Sequence, residues 1–411
     1  MKKTKLALAI ASAAMLSQPV LATNGTNMIG LGAQSSAMGG TGVAAYYGAE
    51  NVVINPGLIG KAQGTEFSFG GTLFMPTVKN NSGMGESKSK ADTNLIPSVS
   101  LVSRISDELT FGIGMYGSSG MGVDYSGSAA HLHAQTNMQI MRFVPSLAFN
   151  QDNFGIGFSP IIQYGSLDIN YTMGDPTAAC PGPNCGPGNV GHGMAADLGY
   201  GFSLGGYFDI NENLTLAAAY TSAIKMKYDG QLSKASQPFV GMGMLPATFG
   251  DELEQPAELK IGLAFNMGTM TYTADYKNIA WGSATGYKDF NWQDQNVIAV
   301  GAKYTSNTYW AGLGVNHGNN PIKEMSATAP GGQATNMFNN LFFPATTETH
   351  ITFGGGYNLT KNLSLDGAIV YAPEVKTTVK GPDFVGGNPM GADNTTTHSQ
   401  MGYTISARYN F

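Results

Sequence analysis

The chain has 411 residues, with 27 acidic and 21 basic side chains and a net charge of −6; 12% of its residues are charged, 42% are hydrophobic and 56 are glycine. Soluble domains average about 25% charged residues, so this composition excludes a highly charged disordered chain and a basic nucleic-acid-binding protein, and it argues against a typical cytosolic enzyme. Beyond the N-terminal region no apolar run reaches the ~18 residues of a transmembrane helix. Dispersed apolar residues in a glycine-rich chain are typical of a membrane β-barrel.

The first 22 residues have the pattern of a cleaved signal peptide. A basic start is followed by an apolar stretch, Leu6–Leu16, and by Val20 and Ala22 at the −3 and −1 positions of a cleavage site. A membrane anchor is the alternative, but the apolar stretch is too short to span a bilayer and Pro19 follows it. Cleavage removes three lysines and leaves a net charge of −9 (18 − 27). We therefore expect export from a Gram-negative-type cell.

Residues 23–62 are rich in glycine and alanine and lack the alternation of a strand. The run Gly39–Gly42 is similar to a nucleotide-binding loop, but no strand precedes it, and neither an acidic ribose partner nor a cytosolic address accompanies it. A wide barrel leaves an open lumen unless something fills it. We therefore expect residues 23–62 to form a plug.

From residue 65 onward, apolar residues alternate with polar or small residues at the period of a β-strand. The clearest stretch is 401–411, with apolar residues at odd positions and small or polar residues at even ones. An edge strand of a soluble sandwich is the alternative, and Arg408 opposite the apolar row argues against it. A C-terminal Phe411 preceded by Tyr409 also resembles the signal read by outer-membrane assembly machinery. This alternation predicts fourteen strands, near 65–78, 93–103, 108–118, 137–150, 153–166, 195–209, 213–228, 256–267, 269–278, 295–304, 308–316, 348–359, 362–372 and 398–411.

Short and long connections alternate between these strands, as in a barrel with tight periplasmic turns and long external loops. The outward parity also carries tyrosines suited to the membrane interfaces: Tyr164, Tyr220, Tyr276, Tyr309, Tyr357, Tyr371 and Tyr409. The predicted fold is therefore all-β, a 14-stranded antiparallel transmembrane β-barrel over residues 63–411 with an N-terminal plug (hatch) inside its lumen.

The only two cysteines, Cys180 and Cys185, lie in a Pro/Gly-rich loop. In an oxidising compartment this spacing favours a small disulfide-closed loop. A metal site is the alternative, but it needs further soft ligands and only His192 is near in sequence.

Two long connections are apolar although loops are normally solvated, which indicates binding or burial. Methionine in them suits loosely defined hydrophobic ligands. The candidate ligand-binding residues are Phe239, Val240, Met242, Met244, Leu245, Phe249, Phe342 and Phe343. The alternative is that these loops simply bury one another.

Charged residues of the inward parity form a second candidate set: Arg142, Lys260, Lys277, Arg408, Glu258, Asp275 and Asp366. Arg142 and Lys260 could each meet a fatty-acid carboxylate. Salt bridges that join plug to wall are the alternative for each of them.

The glycine-rich start resembles the FadL-type outer-membrane transporters, which carry long-chain fatty acids or aromatic hydrocarbons. The resemblance rests on residues 37–44, Ala-Met-Gly-Gly-Thr-Gly-Val-Ala, and on Asn55-Pro56; its plug motif residues are Gly39, Gly40, Gly42, Asn55 and Pro56. Gly57 departs from the alanine that is usual after Asn-Pro. The resemblance implies a hatch inside the barrel, capture of ligand by apolar loops, and lateral release at an inward kink of the third strand, here at Gly112, Gly114 and Gly117.

The predicted function is passive uptake of fatty acids or hydrocarbons through the outer membrane, with outer-membrane lipids as neighbours, no cofactor or metal, no nucleic acid, and a single chain as the working unit. The alternative is an outer-membrane adhesin or receptor that uses its long loops, and it would need neither plug nor apolar loops. A general porin keeps an open polar pore. A lipase would need a nucleophile beside His131 or His133, and none is obvious.

Overall fold

The computed structural model describes residues 23–173, 188–191, 193–384 and 386–411. Fourteen long antiparallel strands follow one another within these ranges. They are β1 (Thr65–Asn81), β2 (Asn94–Arg104), β3 (Leu109–Asp124), β4 (Gln135–Gln151), β5 (Phe154–Met173), β6 (Ala195–Asn211), β7 (Leu214–Thr221), β8 (Glu258–Met267), β9 (Met270–Ile279), β10 (Gln295–Thr305), β11 (Tyr309–Gly318), β12 (Thr349–Asn358), β13 (Leu363–Gly381) and β14 (Ala392–Asn410).

Each strand pairs with the next, and β14 pairs with β1 from Asn410/Glu66 to Thr395/Asn81, so the sheet closes into a barrel. Closure confirms the predicted fold class and the strand count. The alternation also has the predicted direction, because the seven tyrosines of the outward parity are 37–55% exposed. Side chains of the other parity are buried inside. A lipid-facing apolar surface around a polar interior is the arrangement of a membrane barrel.

Several strand ends differ from the sequence prediction. β5, β13 and β14 extend well beyond the predicted limits at the end of the barrel that carries the long connections, which we call the loop end. The outward residues there are polar, as at Glu374 and Lys376, and both are exposed. Apolar alternation therefore stops where the lipid-facing band stops, whereas backbone pairing continues. β7 is shorter than predicted, since after Thr221 only isolated bridges such as Ile224 with Gln255 remain.

Residues 23–61 contain two-residue strands at Thr23–Asn24 and Asn27–Met28, helix α1 (Gly32–Ala37), helix α2 (Asn51–Ile54) and a 3₁₀ helix at Pro56–Lys61. The two-residue strands pair with each other, and we call Thr23–Met28 the N-terminal hairpin. Almost every residue of this segment is buried.

The long connections carry helix α3 (Leu232–Gly241), helix α4 (Gly332–Met337) with a π-helical turn at Phe338–Phe342, and shorter elements. The shorter elements are strands at Glu86–Lys88 and Gly188–Val190 and 3₁₀ helices at Ala129–His131 and Tyr287–Phe290. No helix of the described residues is long and apolar enough to cross a membrane. The predicted signal peptide and the predicted disulfide between Cys180 and Cys185 lie outside the described residues and stay predictions.

Candidate functional site

The connections at the loop end pack around a cluster of aromatic rings, which we call the loop core. Its members are Tyr171, Phe239, Phe249, Phe290, Phe338 and Phe342. Ring centroids lie 4.4 Å apart for Phe249 and Phe290 and 5.1 Å apart for Phe239 and Phe338. These separations are those of favourable aromatic pairs. The loops therefore do bury one another, as the second interpretation of their apolar sequence proposes.

A narrow apolar cleft of about 10 Å³ lies beside the loop core. It is lined by Met121, Leu232, Leu253, Tyr287, Phe290, Trp292, Asn339 and Phe343. Asn339 is the one amide in this lining, and both ends of that amide are used: Oδ1 accepts from Trp292 Nε1 at 2.9 Å and Nδ2 donates to the Phe290 carbonyl at 2.7 Å. Burial raises the pKa of Tyr287 to about 12, so this phenol stays neutral. The cleft therefore offers no charge to a ligand.

Only one of the predicted loop residues, Phe343, lines this cleft. Phe239, Leu245 and Phe342 are buried in the packing around it, and Phe249 is partly buried against Phe290. Val240 is half-buried, and Met242 is 44% exposed. Met244 instead borders a separate groove of about 620 Å³, formed with residues 327, 329–333, 382–383 and 387–389.

The predicted lumenal cations both have protein partners. Arg142 is buried, and its Nε donates to Gln163 Oε1 at 2.8 Å. Lys260 Nζ lies 2.9 Å from Glu258 Oε2. Glu258 also accepts a hydrogen bond from Asn27 Nδ2 at 2.8 Å, so this pair ties the N-terminal segment to β8.

Further charged residues of the wall hold the backbone of residues 23–62 directly. Lys277 Nζ donates to the carbonyls of Ile29 and Gly40, each at 2.9 Å. Asp275 Oδ2 accepts from the backbone N–H of Gly42 and Val43 at 2.9 and 3.0 Å. Arg408 and Asp366 form a salt bridge with each other within the wall. Inward charges thus satisfy buried backbone groups that water cannot reach.

The plug motif residues pack closely, Gly39 against the wall and Gly40 and Gly42 against other residues of the N-terminal segment. Gly39, Gly40 and Gly42 have φ values of +73°, +78° and +146°, which favour glycine. Asn55 Nδ2 donates to the carbonyls of Val43 and Gly206 at 2.7 and 3.2 Å.

Pro56 and Gly57 pack against glycines of β5 and β6. A side chain at Gly157 would collide with Pro56. A Cβ at Gly57 would lie 2.8 Å from the Gly205 carbonyl oxygen and the Gly206 Cα. The departure at Gly57 thus belongs to an unusually close contact with the wall.

The third strand leaves the wall part of the way along its length. β2 and β3 pair only from Arg104/Thr110 to Ser98/Tyr116, and the pairing of β3 with β4 shifts register between Gly117 and Ser119. Residues 117–123 are buried on both faces. Beyond Tyr116 the strand has therefore moved inward, away from β2.

The N-terminal hairpin meets this displaced part of β3. Asn27 pairs with Ser119, Gly120 N donates to the Thr26 carbonyl at 3.2 Å, and the hydroxyls of Thr26 and Ser119 lie 2.6 Å apart. Met28 packs against Phe74 and Ile96 at the resulting gap between β2 and β3.

The three predicted kink glycines lie in two different parts of β3. Gly112 and Gly114 lie in the regular ladder, and the irregularity begins at Gly117. Cβ atoms at Gly112 and Gly114 would lie 2.7 and 2.6 Å from the methyl groups of Val52. These two glycines therefore make room for residues 23–62.

Sequence reasoning missed the aromatic residues at 281–292. Trp281, Tyr287 and Trp292 form a triad with ring centroids 4.6–5.0 Å apart, and two of its members line or adjoin the cleft. Several large aromatic residues within one connection indicate burial or binding, because loops rarely expose large apolar side chains to solvent. Met121 was missed because nothing in its local sequence shows that β3 turns inward.

A closed antiparallel barrel with an apolar outer band defines the class as an outer-membrane β-barrel. The chain belongs to the family described as Outer membrane protein transport protein (OMPP1/FadL/TodX), whose sequence profile matches residues 9–411. It is therefore an outer-membrane transport protein. Among the described residues no group of three or more His, Cys, Asp or Glu side chains is placed to hold a metal ion.

Individual relatives agree with this assignment. The long-chain fatty acid transport protein of Escherichia coli O6:H1 is 23% identical over 373 residues, which cover 78% of this chain and 82% of that protein. A solved Pseudomonas aeruginosa FadL homologue has a TM-score of 0.73 at 16% identity, covering 94% of this chain and all of that one. The P. putida toluene transporter TodX has a TM-score of 0.67 at 20% identity, covering 93% and 99%. At these identities the two structures show a shared fold.

Proposed function

We propose that the protein is a passive channel that takes up hydrophobic compounds, long-chain fatty acids or hydrocarbons, and releases them sideways into the membrane. The position of Met121 carries this proposal. Met121 lines the cleft below the loop core, and it belongs to the part of β3 that has left the wall. The same displaced part of β3 therefore borders both the apolar cleft and the gap between β2 and β3. Relatives named as fatty acid and toluene transporters support the ligand class.

In this proposal residues 23–62 are the plug that closes the lumen. Their support is burial together with hydrogen bonds to inward residues of three strands, Glu258 of β8, Asp275 of β9 and Thr352 of β12. Lateral release is favoured on energetic grounds. An apolar ligand that entered the periplasm would pay about 25 cal/mol for each Å² of apolar surface exposed to water, and a path into the bilayer avoids this cost.

The loop residues have graded roles in this proposal. Phe343 lines the cleft, whose volume of about 10 Å³ is that of roughly one water molecule, so the loops have to separate before a ligand contacts Phe343. Phe249 and the buried members of the loop core support the cleft, and Met242 and Met244 lie on the approach from outside. Arg142 and Lys260 would meet a carboxylate only after it displaced Gln163 or Glu258. A lipid-facing groove of about 570 Å³ along β5–β7 is filled by acyl chains of the membrane. One chain contains the whole path, so the working unit is a monomer.

The test is to close the gap covalently. A Cβ at Gly117 would lie 3.9 Å from the Cβ of Ile96, within the range of a disulfide. We expect the oxidised Ile96→Cys/Gly117→Cys variant to lose uptake of labelled fatty acid, alkane or toluene in cells that lack other channels of this type. Reductant should restore the uptake, and ligand binding to the loops should persist throughout.

The matched control is Val370→Cys/Gly402→Cys, which joins two directly paired residues in the continuous ladder of β13 and β14 from Leu363/Tyr409 to Ala372/Gln400; a Cβ at Gly402 would lie 3.6 Å from the Val370 Cβ. Oxidation of this control should leave uptake unchanged. Full uptake by the verified Ile96–Gly117 cross-link would show that ligand leaves by another route. Absence of uptake for all three ligands by the reduced variant and by the unmodified protein would reject the channel itself.

A further inference from the structure

The outward face of β13, β14 and β1 changes from apolar to basic towards the loop end. The last large apolar or aromatic side chains on this face are Tyr371 of β13, Met401 of β14 and Met75 of β1, which pair in one row across the sheet. Tyr371 and Met75 are 42% and 40% exposed, as expected for side chains that face lipid. Four residues further along β14 and β1 lies a second row of paired residues, and it contains lysines.

The register of four strands places these lysines side by side. Lys376 of β13 pairs with Thr397 of β14, and Thr397 pairs with Lys79 of β1. Lys79 pairs in turn with Lys88 of the short strand that follows β1. Directly paired residues point to the same face of a sheet, and here that face is the outer one, because Lys79 has the parity of the lipid-facing residue Met75. We call Lys376, Thr397 and Lys79 the basic row.

Lys79 and Lys88 place two positive charges directly opposite each other, which destabilises a sheet unless counter-charge is present. Lys88 Nζ lies 3.1 Å from Asp92 Oδ2, whereas Lys79 Nζ lies 3.9 Å from Glu86 Oε1, at the limit of a salt bridge. The side chains of Lys79 and Glu86 are 42% and 59% exposed. Exposed pairs of this kind contribute little, so the protein itself leaves Lys79 incompletely neutralised.

Lys376, on the other side of Thr397, has still less counter-charge. Among the residues that the structure describes, no carboxylate lies within 4 Å of its ammonium group, although the exposed Glu374 shares its face of β13. The next lysine of β13, Lys380, is by contrast paired with Asp393 at 2.6 Å. The Thr397 hydroxyl also forms no hydrogen bond within this part of the chain. The basic row therefore presents two ammonium groups and one hydroxyl with unused donors.

The geometry of the sheet lets these three groups meet one anion. Neighbouring strands lie about 4.8 Å apart, so the backbones of Lys376 and Lys79 are separated by roughly 10 Å with Thr397 between them. Each lysine carries its charge on a flexible four-carbon chain. Both ammonium groups can therefore close on an anion that lies over the Thr397 hydroxyl.

The basic row lies at the height of lipid headgroups. Four strand residues separate it from the row of Met401 and Met75, which is about 13 Å along the strand and about 10 Å along the membrane normal at a strand tilt of about 40°. Headgroups begin at the edge of the apolar band and extend for several ångströms, and lysine side chains bend towards them. Long connections mark the extracellular end of such barrels, so the row faces the outer leaflet.

We propose that the basic row binds a phosphate group of an outer-leaflet lipid whose acyl chains lie along the apolar band. Phosphate oxygens accept charge-assisted hydrogen bonds from lysine, and the Thr397 hydroxyl supplies one more donor. Free phosphate offers the same oxygens, but only a lipid also covers the apolar side chains of Met75 and Tyr371 on the same strands. The site faces away from the lumen, so the inference does not depend on which molecule the channel transports.

The experiment uses the full-length protein purified from outer membranes in detergent, with diphosphorylated lipid A as the phosphate-bearing lipid. Native mass spectrometry measures its dissociation constant beside that of the same lipid after removal of its phosphates. We expect the phosphorylated lipid to bind at least tenfold more tightly, and inorganic phosphate alone to bind far more weakly than either. Equal binding of the two lipids would overturn the proposal, and inorganic phosphate that binds as tightly as lipid A would show a free-anion site instead.

Paired variants locate the site on the wall. Lys79→Gln/Lys376→Gln should weaken binding of lipid A on the order of 25-fold, because each lysine near an anionic lipid contributes roughly fivefold. Binding of the dephosphorylated lipid should not change. The matched control is Lys288→Gln/Lys323→Gln, which removes the same charge from exposed lysines of two connections and should bind lipid A like the unmodified protein.

Equal losses in both pairs of variants would mean that net charge, and not the basic row, attracts the lipid, and would contradict the proposal. Heat-dependent migration in gels verifies that each variant is a folded barrel. If Lys79→Gln/Lys376→Gln does not fold, the comparison of phosphorylated and dephosphorylated lipid on the unmodified protein decides the matter.

Discussion

Two interfaces between neighbouring strands of the barrel wall, which we call seams, differ in how far the two strands are hydrogen-bonded to each other. β14 and β1 pair without interruption from Asn410/Glu66 to Thr395/Asn81, although Gly70, Gly71 and Gly402 lie along them. β3 also contains glycines, and its pairing with β2 ends at Ser98/Tyr116. Glycine content alone therefore does not open a seam.

The difference between the two seams is that β3 has a second hydrogen-bonding partner inside the barrel. The N-terminal hairpin accepts the Gly120 N–H through Thr26 and pairs with Ser119 through Asn27. Unpaired backbone groups are very costly within a membrane. A strand can leave the wall only where another segment of the protein takes over its hydrogen bonds, and within the described residues the N-terminal hairpin does this for β3 at Ser119 and Gly120.

The largest effect should come from deleting residues 23–62. Without them β3 loses its inner partner and the lumen loses its filling, whereas the β14–β1 seam keeps all its pairs. We expect a severalfold rise in single-channel conductance in planar bilayers. Heat-dependent gel migration serves to verify that the barrel is folded. Unchanged conductance of the folded deletion variant would contradict the plug assignment.

A smaller effect should follow from one added methyl group at the wall. A Cβ at Gly314 would collide with Gly39 N, whereas a Cβ at Gly402 has ordinary contacts of 3.6 Å. Gly314→Ala should therefore unseat α1 and its flanking turns at a cost of about 1–3 kcal/mol. Amide hydrogen exchange over residues 32–44 should accelerate by about tenfold or more. The matched variant Gly402→Ala should exchange like the unmodified protein, and equal rates in both variants would refute the close packing.

Asn27→Ala should affect hydrogen exchange at the β2–β3 seam and not at the β14–β1 seam. It removes the hydrogen bond to Glu258, which a buried carboxylate acceptor makes worth roughly 1–3 kcal/mol. We expect faster hydrogen exchange at Ser119 and Gly120 and no change along β1 and β14. Acceleration at both seams would mean that the hairpin stabilises the whole barrel rather than the gap.

The smallest effect should come from Asp251, far in the chain from both seams. Its carboxylate accepts hydrogen bonds from Gly230 N and from Ser233 N and Oγ near the start of α3. Partial burial acts to raise the pKa of Asp251, but the hydrogen bonds from Ser233 and Gly230 outweigh it and the pKa is lowered below 3.8.

A carboxyl with a lowered folded-state pKa stabilises the fold above its unfolded pKa and stops doing so as the pH falls through the folded value. The protection factors of the α3 loop, which are exchange rates corrected for the intrinsic effect of pH, should therefore stay the same from pH 7 to 5 and fall only below about pH 4. Asp251→Ala should accelerate exchange in α3 severalfold at pH 7 and leave both seams unchanged. Loss of this acid sensitivity without any change in exchange at neutral pH would contradict the assignment.

The candidate site was predictable in part. The apolar sequences of the long connections predicted Phe343 and the loop core, and the alternation of residues along the strands predicted which charged side chains point inward. Gly117 was named together with Gly112 and Gly114, but sequence could not separate the one at the register shift from the two that pack on Val52. The hydrogen bond from Thr23 N to Gln400 Oε1 joins residues 377 positions apart, and no local pattern contains it.

The amino-acid sequence by itself determined the strand count, the lipid-facing and lumen-facing parities and the closed topology, because lipid on one side and a polar interior on the other impose a period of two on every strand. Only the tertiary structure decided where the wall opens and what Arg142, Lys260 and Lys277 bind. Where the pairing of β2 with β3 ends and what Lys277 binds depend on residues 23–62 meeting strands that are distant in sequence, whereas Arg142 and Lys260 bind Gln163 of the neighbouring strand and Glu258 of the same strand. Contacts between residues 23–62 and the wall form only in the closed barrel, because the strands that supply them are far apart in the chain.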